Sequence, residues 1–444
     1  MSIILTFILL LLCIQLCKNY KQGFINSFLL SILIIPKNAC IIGGIKFNIV
    51  LLLLVTIITY IQKKKILIAN NPFYKSVLFY FVTTLFIIFF SREISLSNQI
   101  SFLVKKWIEM FWLGLLSWNI FKTNHDYKRF IKKMYYCIII LSLYGIFEYI
   151  VKTNIYLDIF IKSFPDTIVD ASAFITEQRG ILSGRIRGTT EHPLDWGQRF
   201  TLLFMFFFII RKEFKKNKFI LLETLIFINI VLTGSRSSII PIVIFLIYVT
   251  IHYYKKHLKK LLTIIITLFS CLLIFSNSFK ENETIKTIQA FIYFWDEEKS
   301  NDVGIKGSSV SMRIDQLEEA TYAIGNNFYY GFGYGYVTNM EDDHYLKAFL
   351  FGFESIILKI LVEQGIIGLF CYIIMFYIFI RISHSYLKKA TSNYNILMVN
   401  SFIFSYFISL LLTGERRSFQ LFFFLLIIIV NYLKTRKQQI ILKR

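Results

Sequence analysis

The sequence is poor in proline and its cysteines follow no pattern, and both features narrow the range of folds. Only 5 Pro occur in 444 residues, which is typical of a mostly helical chain, because proline breaks helices. The 6 Cys are scattered without the paired spacing of a metal site or a disulfide framework, so we interpret them as small apolar residues. No polar stretch is long enough to be a flexible linker, and we expect one integral domain over residues 1–444.

Familiar catalytic and nucleotide-binding motifs are also missing. The chain has no Walker motif, no Gly-x-Ser-x-Gly and no His-Glu-x-x-His. Gly331, Gly333 and Gly335 mark turns, but they have neither the spacing nor the strand–helix context of a dinucleotide fingerprint. We therefore expect no nucleotide binding at these glycines.

What the chain has instead is long apolar runs. Hydrophobic residues make up 56% of the sequence, and the opening run 3–17 lacks the basic start and cleavage site of a signal peptide, so we assign it to a helix. Pro36 and the glycine-containing segment 40–44 predict a broken or re-entrant second span. We predict an all-α polytopic membrane protein of about 12 or 13 transmembrane helices, near residues 3–17, 24–43, 46–62, 73–90, 100–121, 131–150, 194–210, 219–233, 237–252, 261–276, 354–380, 396–413 and 418–433.

The formal net charge of +22 does not indicate a nucleic-acid partner, because the basic residues cluster on one side of the predicted membrane. Basic clusters follow apolar spans at residues 211–218, 255–260, 381–389 and 434–444. We therefore place these loops and the C-terminus in the cytoplasm. The intervening segments then face outward, and they include a first outward loop, 152–199, and a large outward loop, 277–353, in which acidic residues outnumber basic ones.

The large outward loop contains a helical pattern. Ile314, Leu317 and Ile324 fall on one helical face, and Asp315 favours a helix start just before it. The pattern predicts a short amphipathic helix that lies on the outer surface of the membrane.

Several arginines mark a candidate anion site. Arg236 ends the motif Leu-Thr-Gly-Ser-Arg at residues 232–236, between two apolar spans, where a charge is costly unless it has a partner or a water-filled cavity. Arg185, Arg187, Arg313 and Arg417 also lie in predicted outward segments or at span ends. A guanidinium binds two phosphate oxygens at once, so the set suits a lipid-linked diphosphate. For each arginine alone, a headgroup contact or a loop salt bridge is the alternative.

Few residues in the outward segments are suited to act as a general base. We single out His192, His344, Glu354 and Glu363, any of which has the chemistry to take a proton from an acceptor hydroxyl. The alternative for His344, which follows three acidic residues, is a solvated acidic loop. Those carboxylates are also the type of ligand a divalent cation prefers, but no second cluster accompanies them and we predict no metal.

Four motifs carry a resemblance to a known family. They are Arg187-Gly-Thr with His192-Pro before a span, Leu-Thr-Gly-Ser-Arg236, the segment 313–335, and Glu354-Ser followed by Glu363-Gln-Gly-Ile-Ile-Gly. In this order, with a large outward loop before the last, the chain resembles the O-antigen ligase and polysaccharide polymerase (Wzy-like) membrane proteins over residues 185–370.

The resemblance implies a metal-independent, inverting glycosyl transfer without a cofactor, on the outer face of the cytoplasmic (inner) membrane. The donor is an oligosaccharide linked to undecaprenyl diphosphate. Arg236 and Arg313 occupy the positions of the family's two diphosphate-binding arginines, and Arg187 is a further candidate. The family's catalytic histidine aligns with Glu354, while His344 lies ten residues further upstream, so both remain candidates for the base.

The same resemblance favours a polymerase over a ligase, because His192-Pro and Glu354-Ser are similar to the polymerase branch. A polymerase builds a surface polysaccharide such as a capsule, an exopolysaccharide or an O-antigen, and its expected partners are membrane lipid, a flippase and a chain-length regulator. His192, Arg185, Arg417 and Tyr334 are candidates for substrate contacts, Tyr334 as a stacking face for sugar rings.

Two other classes of protein remain as alternatives. A transporter or flippase for lipid-linked glycans also needs outward arginines, but transporters usually place charges near the middle of the bilayer, whereas here the charges map to span ends. A membrane scaffold without catalytic activity leaves the position of Arg236 unexplained.

Overall fold

The protein is described by a computed structural model that covers residues 1–36, 38–41, 45–63, 68–91, 93–163, 178–179, 182–253, 310–339, 355–388, 390–413 and 418–442. Fifteen helices are described in these ranges: α1 Ser2–Lys18, α2 Tyr20–Phe28, α3 Phe47–Lys63, α4 Tyr74–Ile88, α5 Leu96–Ile120, α6 Asn124–Val151, α7 Ile155–Ser163, α8 Pro193–Ile209, α9 Lys216–Leu232, α10 Arg236–Tyr253, α11 Val310–Ile324, α12 Tyr336–Asn339, α13 Ile356–Lys388, α14 Asn393–Leu412 and α15 Ser418–Leu442.

The architecture confirms an all-α, multi-pass membrane protein. Among the described residues, four helices are long and apolar enough to cross a bilayer, namely α6, α13, α14 and α15, and shorter apolar helices accompany them. One feature was not predicted: two short antiparallel strands, β1 (Gln178–Arg179) and β2 (Leu182–Ser183), form a hairpin in the first outward loop. The predicted span 261–276 lies outside the described residues.

Helix α15 forms the centre of the molecule. Its residues from Leu421 to Val430 are almost completely buried, and it packs against α5, α6, α8, α13 and α14. A helix that is apolar on every face is stable only where other elements surround it. The aromatic rings of Phe422, Phe423 and Phe424 fill the contacts with these neighbours.

The second predicted span, 24–43, is interrupted before Pro36, as that proline predicts; Gly43 and Gly44 lie outside the described residues. Helix α2 continues as a π-helix over Leu29–Ile34 and then ends, because Ile35 is extended and Pro36 follows it. A helix end leaves carbonyl groups without partners. Here the carbonyls of residues 32, 33 and 34 accept hydrogen bonds from the side chains of Arg199, Thr189 and Tyr156.

The predicted amphipathic helix is present as α11. Ala320 and Ile324 are buried against α13, whereas Ile314 and Leu317 are 51% and 46% exposed. The small side chain of Ala320 allows close packing of the two helices. The position of α11 on the outer surface of the membrane stays a prediction.

Candidate functional site

The motif at residues 232–236 forms the turn between α9 and α10. Thr233 donates a hydrogen bond from Oγ1 to the carbonyl of Ile230 at 2.6 Å, and Gly234 has a φ of 62°, a conformation that favours glycine. The turn makes Arg236 the first residue of α10. A helix N-terminus attracts anions through its dipole and its exposed N–H groups, so the Arg236 charge and the helix favour the same kind of ligand.

Arg185 reaches this turn from the first outward loop. Its Nε donates to the carbonyl oxygen of Thr233 at 2.7 Å, and the backbone N–H of Ile186 donates to the carbonyl of Leu232 at 3.3 Å. Arg185 is only 3% exposed, whereas Arg236 is half-buried. The structure therefore brings Arg185 and Arg236 to the same turn, although they lie about 50 residues apart in the sequence.

Arg187 is completely buried, and its segment is anchored on α6. The Glu148 carboxylate accepts the backbone N–H of Arg187 at 3.0 Å and that of Gly188 at 2.7 Å. The Arg187 Nη1 donates to the carbonyl of Glu191 at 3.3 Å. Sequence reasoning did not single out Glu148, although an acidic residue near the end of an apolar span is a recognisable signal.

A close contact between Gly188 and Trp196 fixes the path of the same segment. Gly188 has a φ of 54°, and a Cβ at this position would lie 2.4 Å from the Trp196 ring. Trp196 donates from Nε1 to Asn229 Oδ1 at 3.2 Å, and Asn229 donates to the carbonyl of Ser142 at 3.0 Å. This buried network joins α6, α8 and α9 behind the arginines, and no pattern in the sequence predicts it.

His192 caps the N-terminus of α8. Its Nδ1 accepts the backbone N–H of Leu194 at 3.1 Å, and Pro193 occupies the first helical position, which explains the His-Pro pair as a helix start. A neutral ring that accepts at Nδ1 carries its proton on Nε2. A contact between His192 and a substrate remains a prediction, and it would use the Nε2 side of the ring.

Helix α13 is broken within the Glu-Gln-Gly motif that begins at Glu363. Gly365 has φ 63° and ψ −168° inside the helix, and Val362 and Glu363 accept hydrogen bonds from Phe332 and Gly333 at 2.9 and 3.0 Å. The loop after α11 therefore docks on the carbonyls that the break releases. Irregular backbone in a membrane protein is tolerated where protein covers it.

Two glycines make this docking possible. A Cβ on Gly365 would lie 2.4 Å from the carbonyl carbon and oxygen of Tyr329, and a Cβ on Gly331 would lie 2.5 Å from the carbonyl oxygen of Val362. Both contacts are closer than any side chain allows. Gly331, which the sequence marked as a turn, thus serves with Gly365 to bring two backbones together.

Tyr334 lies on the side of this loop that packs against α5. Its side chain is buried, its N–H donates to Gln99 Oε1 at 2.9 Å, and its ring packs against Phe102. It borders a small cavity together with Tyr80 and Gln364. A stacking role of Tyr334 for sugars remains a prediction.

Three predicted site residues, His344, Glu354 and Arg417, lie outside the described residues. Arg313 lies in α11, but its side chain is also outside the description. Ser355, which follows Glu354, is buried at the start of α13. In the described part of the chain, no group of three or more His, Cys, Asp or Glu residues has the arrangement of a metal site.

The comparison with protein families matches the region just described. Residues 221–373 match the family model Wzy_C, described as O-antigen ligase, and this range includes Arg236, Arg313 and the break at Gly365. A comparison with curated proteins finds no match. Over residues 221–373, this chain is therefore similar to the Wzy-like family of O-antigen ligases and polymerases.

Proposed function

We propose that the protein is a polymerase that joins oligosaccharide repeat units into a surface polysaccharide, which is a capsule, an exopolysaccharide or an O-antigen. Each repeat unit is carried on undecaprenyl diphosphate. The match of residues 221–373 to a family of glycosyltransferase-like ligases and polymerases supports this reaction class. The polymerase choice is supported by the pairs His192-Pro193 and Glu354-Ser355, which are similar to the polymerase branch.

The observation that carries the proposal is the position of Arg236. It combines a permanent positive charge with the N-terminus of α10, at a turn between two mostly apolar helices. Such a site stabilises the negative charge that develops on a departing diphosphate, and this type of electrostatic stabilisation is commonly the largest contribution to catalysis.

In this proposal the arginines have different roles. Arg236 and Arg313 contact the diphosphate directly. Arg185 and Arg187 are buried, so Arg185 positions the turn that carries Arg236, and Arg187 adds positive potential from behind it. Arg417 and the Nε2 side of His192 contact the glycan, as does the loop around Tyr334.

The transfer itself is an inverting displacement without a metal ion. An acceptor hydroxyl attacks the anomeric carbon of the donor sugar, and the bond from that carbon to the phosphate oxygen breaks. Glu354 or His344 takes the hydroxyl proton, and undecaprenyl diphosphate leaves with its charge balanced by the arginines.

The charge pattern supports a location in the cytoplasmic membrane. Basic clusters lie at 211–218, 381–389 and 434–444, and positive loops remain on the cytoplasmic side. The C-terminus is then cytoplasmic, and residues 277–353 face outward, where a flippase delivers repeat units and a chain-length regulator controls the product.

The test uses the full-length protein reconstituted in vesicles with its lipid-linked repeat unit, with and without a chelator. A ladder of longer glycans, unchanged by the chelator and absent in Arg236→Ala and Arg313→Ala, is the expected result. Arg381→Ala is the matched control, because Arg381 is exposed at the predicted cytoplasmic side. Transport of the repeat unit across the vesicle membrane without any new glycosidic bond would overturn the proposal.

A ligase is the second candidate, because the matched family model is described as O-antigen ligase. A ligase transfers the glycan once, to a different acceptor. In the same assay it would produce no ladder from the repeat unit alone and a single transfer product once that acceptor is added.

A further inference from the structure

A second cavity lies outside the segment that matches the family. It is bordered by the end of α2 with its π-helix, by α3, α5 and α8, and by the start of α15. None of its lining residues belongs to 221–373, so the family resemblance assigns it no role.

Three cations from three different segments line this cavity. Lys46 precedes α3, Lys106 lies within α5, and Arg199 lies within α8. Charges at such positions in a membrane domain are costly and usually functional. Because each comes from a separate part of the chain, their convergence is a property of the fold and not of one basic stretch.

The cations have partners. Lys106 Nζ lies 3.3 Å from the Glu109 carboxylate, Arg199 forms an ion pair with Asp195 at 2.6 Å, and Lys46 donates to the amide oxygen of Asn38 at 3.0 Å. The residues that line the cavity include three cations and one carboxylate, Glu109, so an anion bound here gains favourable charge interactions.

The rest of the lining specifies a ligand with two chemical halves. Ser31, Asn48 and Gln420 offer neutral hydrogen-bonding groups, while residues such as Ile49, Leu52 and Met110 form an apolar wall. A phosphate attached to a hydrocarbon chain matches both halves. A free sugar or a free inorganic ion uses only one of them.

Hydrogen bonds connect this cavity to the arginine site. Lys46 binds Asn38, and Asn38 donates from its backbone N and its Nδ2 to the two Glu191 carboxylate oxygens, both at 3.2 Å. The backbone carbonyl of Glu191 in turn accepts from Arg187. The two sites are therefore held by one continuous set of contacts.

We propose that this cavity binds the phosphate-bearing headgroup of a lipid, at a site separate from Arg236. Two lipids share this chemistry. One is a second undecaprenyl-diphosphate carrier, which is the acceptor substrate if the proposed polymerase function holds. The other is a membrane phospholipid that acts as a bound structural lipid.

The experiment measures lipid binding by native mass spectrometry on the full-length protein in detergent, with undecaprenyl diphosphate and phosphatidylglycerol as separate probes. The test variant is Lys46→Gln with Lys106→Gln. The pair Lys46→Arg with Lys106→Arg retains both charges and reports whether these positions tolerate substitution. Lys105→Gln is the matched control, because Lys105 is exposed beside Lys106 on α5 and does not line the cavity.

The wild type is expected to bind one more lipid than the Gln double variant, whose affinity for that lipid falls at least about tenfold. The Arg pair and Lys105→Gln retain it. If the wild type binds the extra lipid only when the probe is undecaprenyl diphosphate, the cavity holds an acceptor carrier. If it binds phosphatidylglycerol equally well, the cavity holds a structural lipid. A Gln double variant that binds both probes like the wild type would overturn the proposal.

The readout is independent of turnover. If the extra lipid binds as expected but no glycan ladder forms, the polymerase function fails and the cavity stands. If the ladder forms and the Gln double variant binds lipid normally, the reverse conclusion follows.

Discussion

At the scale of single residues, Arg185, Arg187 and Arg236 resemble each other in the sequence, but their surroundings differ. Arg187 is fully buried and its backbone binds Glu148, Arg185 binds the turn before α10, and Arg236 is half-buried at the start of that helix. In the proposed function, this difference in burial separates Arg185 and Arg187, which hold the site, from Arg236, which contacts the diphosphate.

Glu148→Gln tests the anchor of the first outward loop. The carboxylate accepts two backbone N–H groups, and an amide would place its own donor against one of them. We expect the free energy of unfolding to fall by about 1–3 kcal/mol, measured as a lower thermal midpoint in detergent. Glu318→Gln is the control, because Glu318 is exposed on α11. Equal midpoints for Glu148→Gln and the wild type would contradict the anchoring role.

Gly188→Ala tests the contact with Trp196. The added Cβ would clash with the ring and would also occupy a φ of 54°, so we expect a loss of about 1–3 kcal/mol in the free energy of unfolding. Gly325→Ala is the matched control, since Gly325 also has a positive φ but no atom within 4 Å of its Cβ position. The contact is unimportant if both variants lose the same stability.

At the scale of elements, the break in α13 organises the loop after α11. The sequence marked Gly331, Gly333 and Gly335 as turns, and it identified the motif around Gly365 by resemblance. It did not predict that Gly331 and Gly365 meet, because no local pattern links residues so far apart along the chain. The docking is a tertiary contact between two backbones.

Gly331→Ala and Gly365→Ala test this docking together. Each Cβ would separate the same two backbone segments, so each variant should expose residues 325–339 to limited proteolysis. Because both remove one shared contact, their effects should not add, and the double variant should be cleaved about as fast as the worse single variant. Gly325→Ala again provides the control. Cleavage rates that simply multiply would show that the glycines act independently.

The candidate site could be predicted from the sequence only where a local pattern carried the information. The motif 232–236 and the pair His192-Pro193 were recognisable. In the structure, the first forms a turn before α10 and the second starts α8. Glu148, Asn229 and Trp196 were not found, because a buried polar contact depends on which helices pack together. The roles of His344, Glu354 and Arg417 stay predictions.

At the scale of the whole molecule, apolar patterning was sufficient for the fold class. Runs such as 131–150 and 396–413 correspond to α6 and α14, although α6 begins seven residues earlier than predicted. The central position of α15 was not predictable in the same way, because an apolar helix facing lipid and one facing protein have similar compositions. Only the packing of α15 against five neighbouring helices shows that it faces protein.

The predicted orientation is tested with single cysteines in a variant whose 6 native Cys are replaced by Ala. Thr153→Cys follows α6 and Lys215→Cys precedes α9, and both positions are exposed. An impermeant maleimide added to intact spheroplasts should label Thr153→Cys but not Lys215→Cys, because the basic segment 211–218 is predicted to be cytoplasmic. The opposite labelling pattern would reverse the orientation and place the Arg236 site on the wrong side.

The central claim is that Arg236 stabilises the departing diphosphate, and the most direct measurement is the initial rate of undecaprenyl diphosphate release by the reconstituted protein. Arg236→Ala should lower this rate by about 100-fold or more, and Arg236→Lys should restore part of it, because lysine keeps the charge but loses the paired donors. Arg381→Ala should match the wild type. A normal rate in a well-folded Arg236→Ala protein would contradict the account.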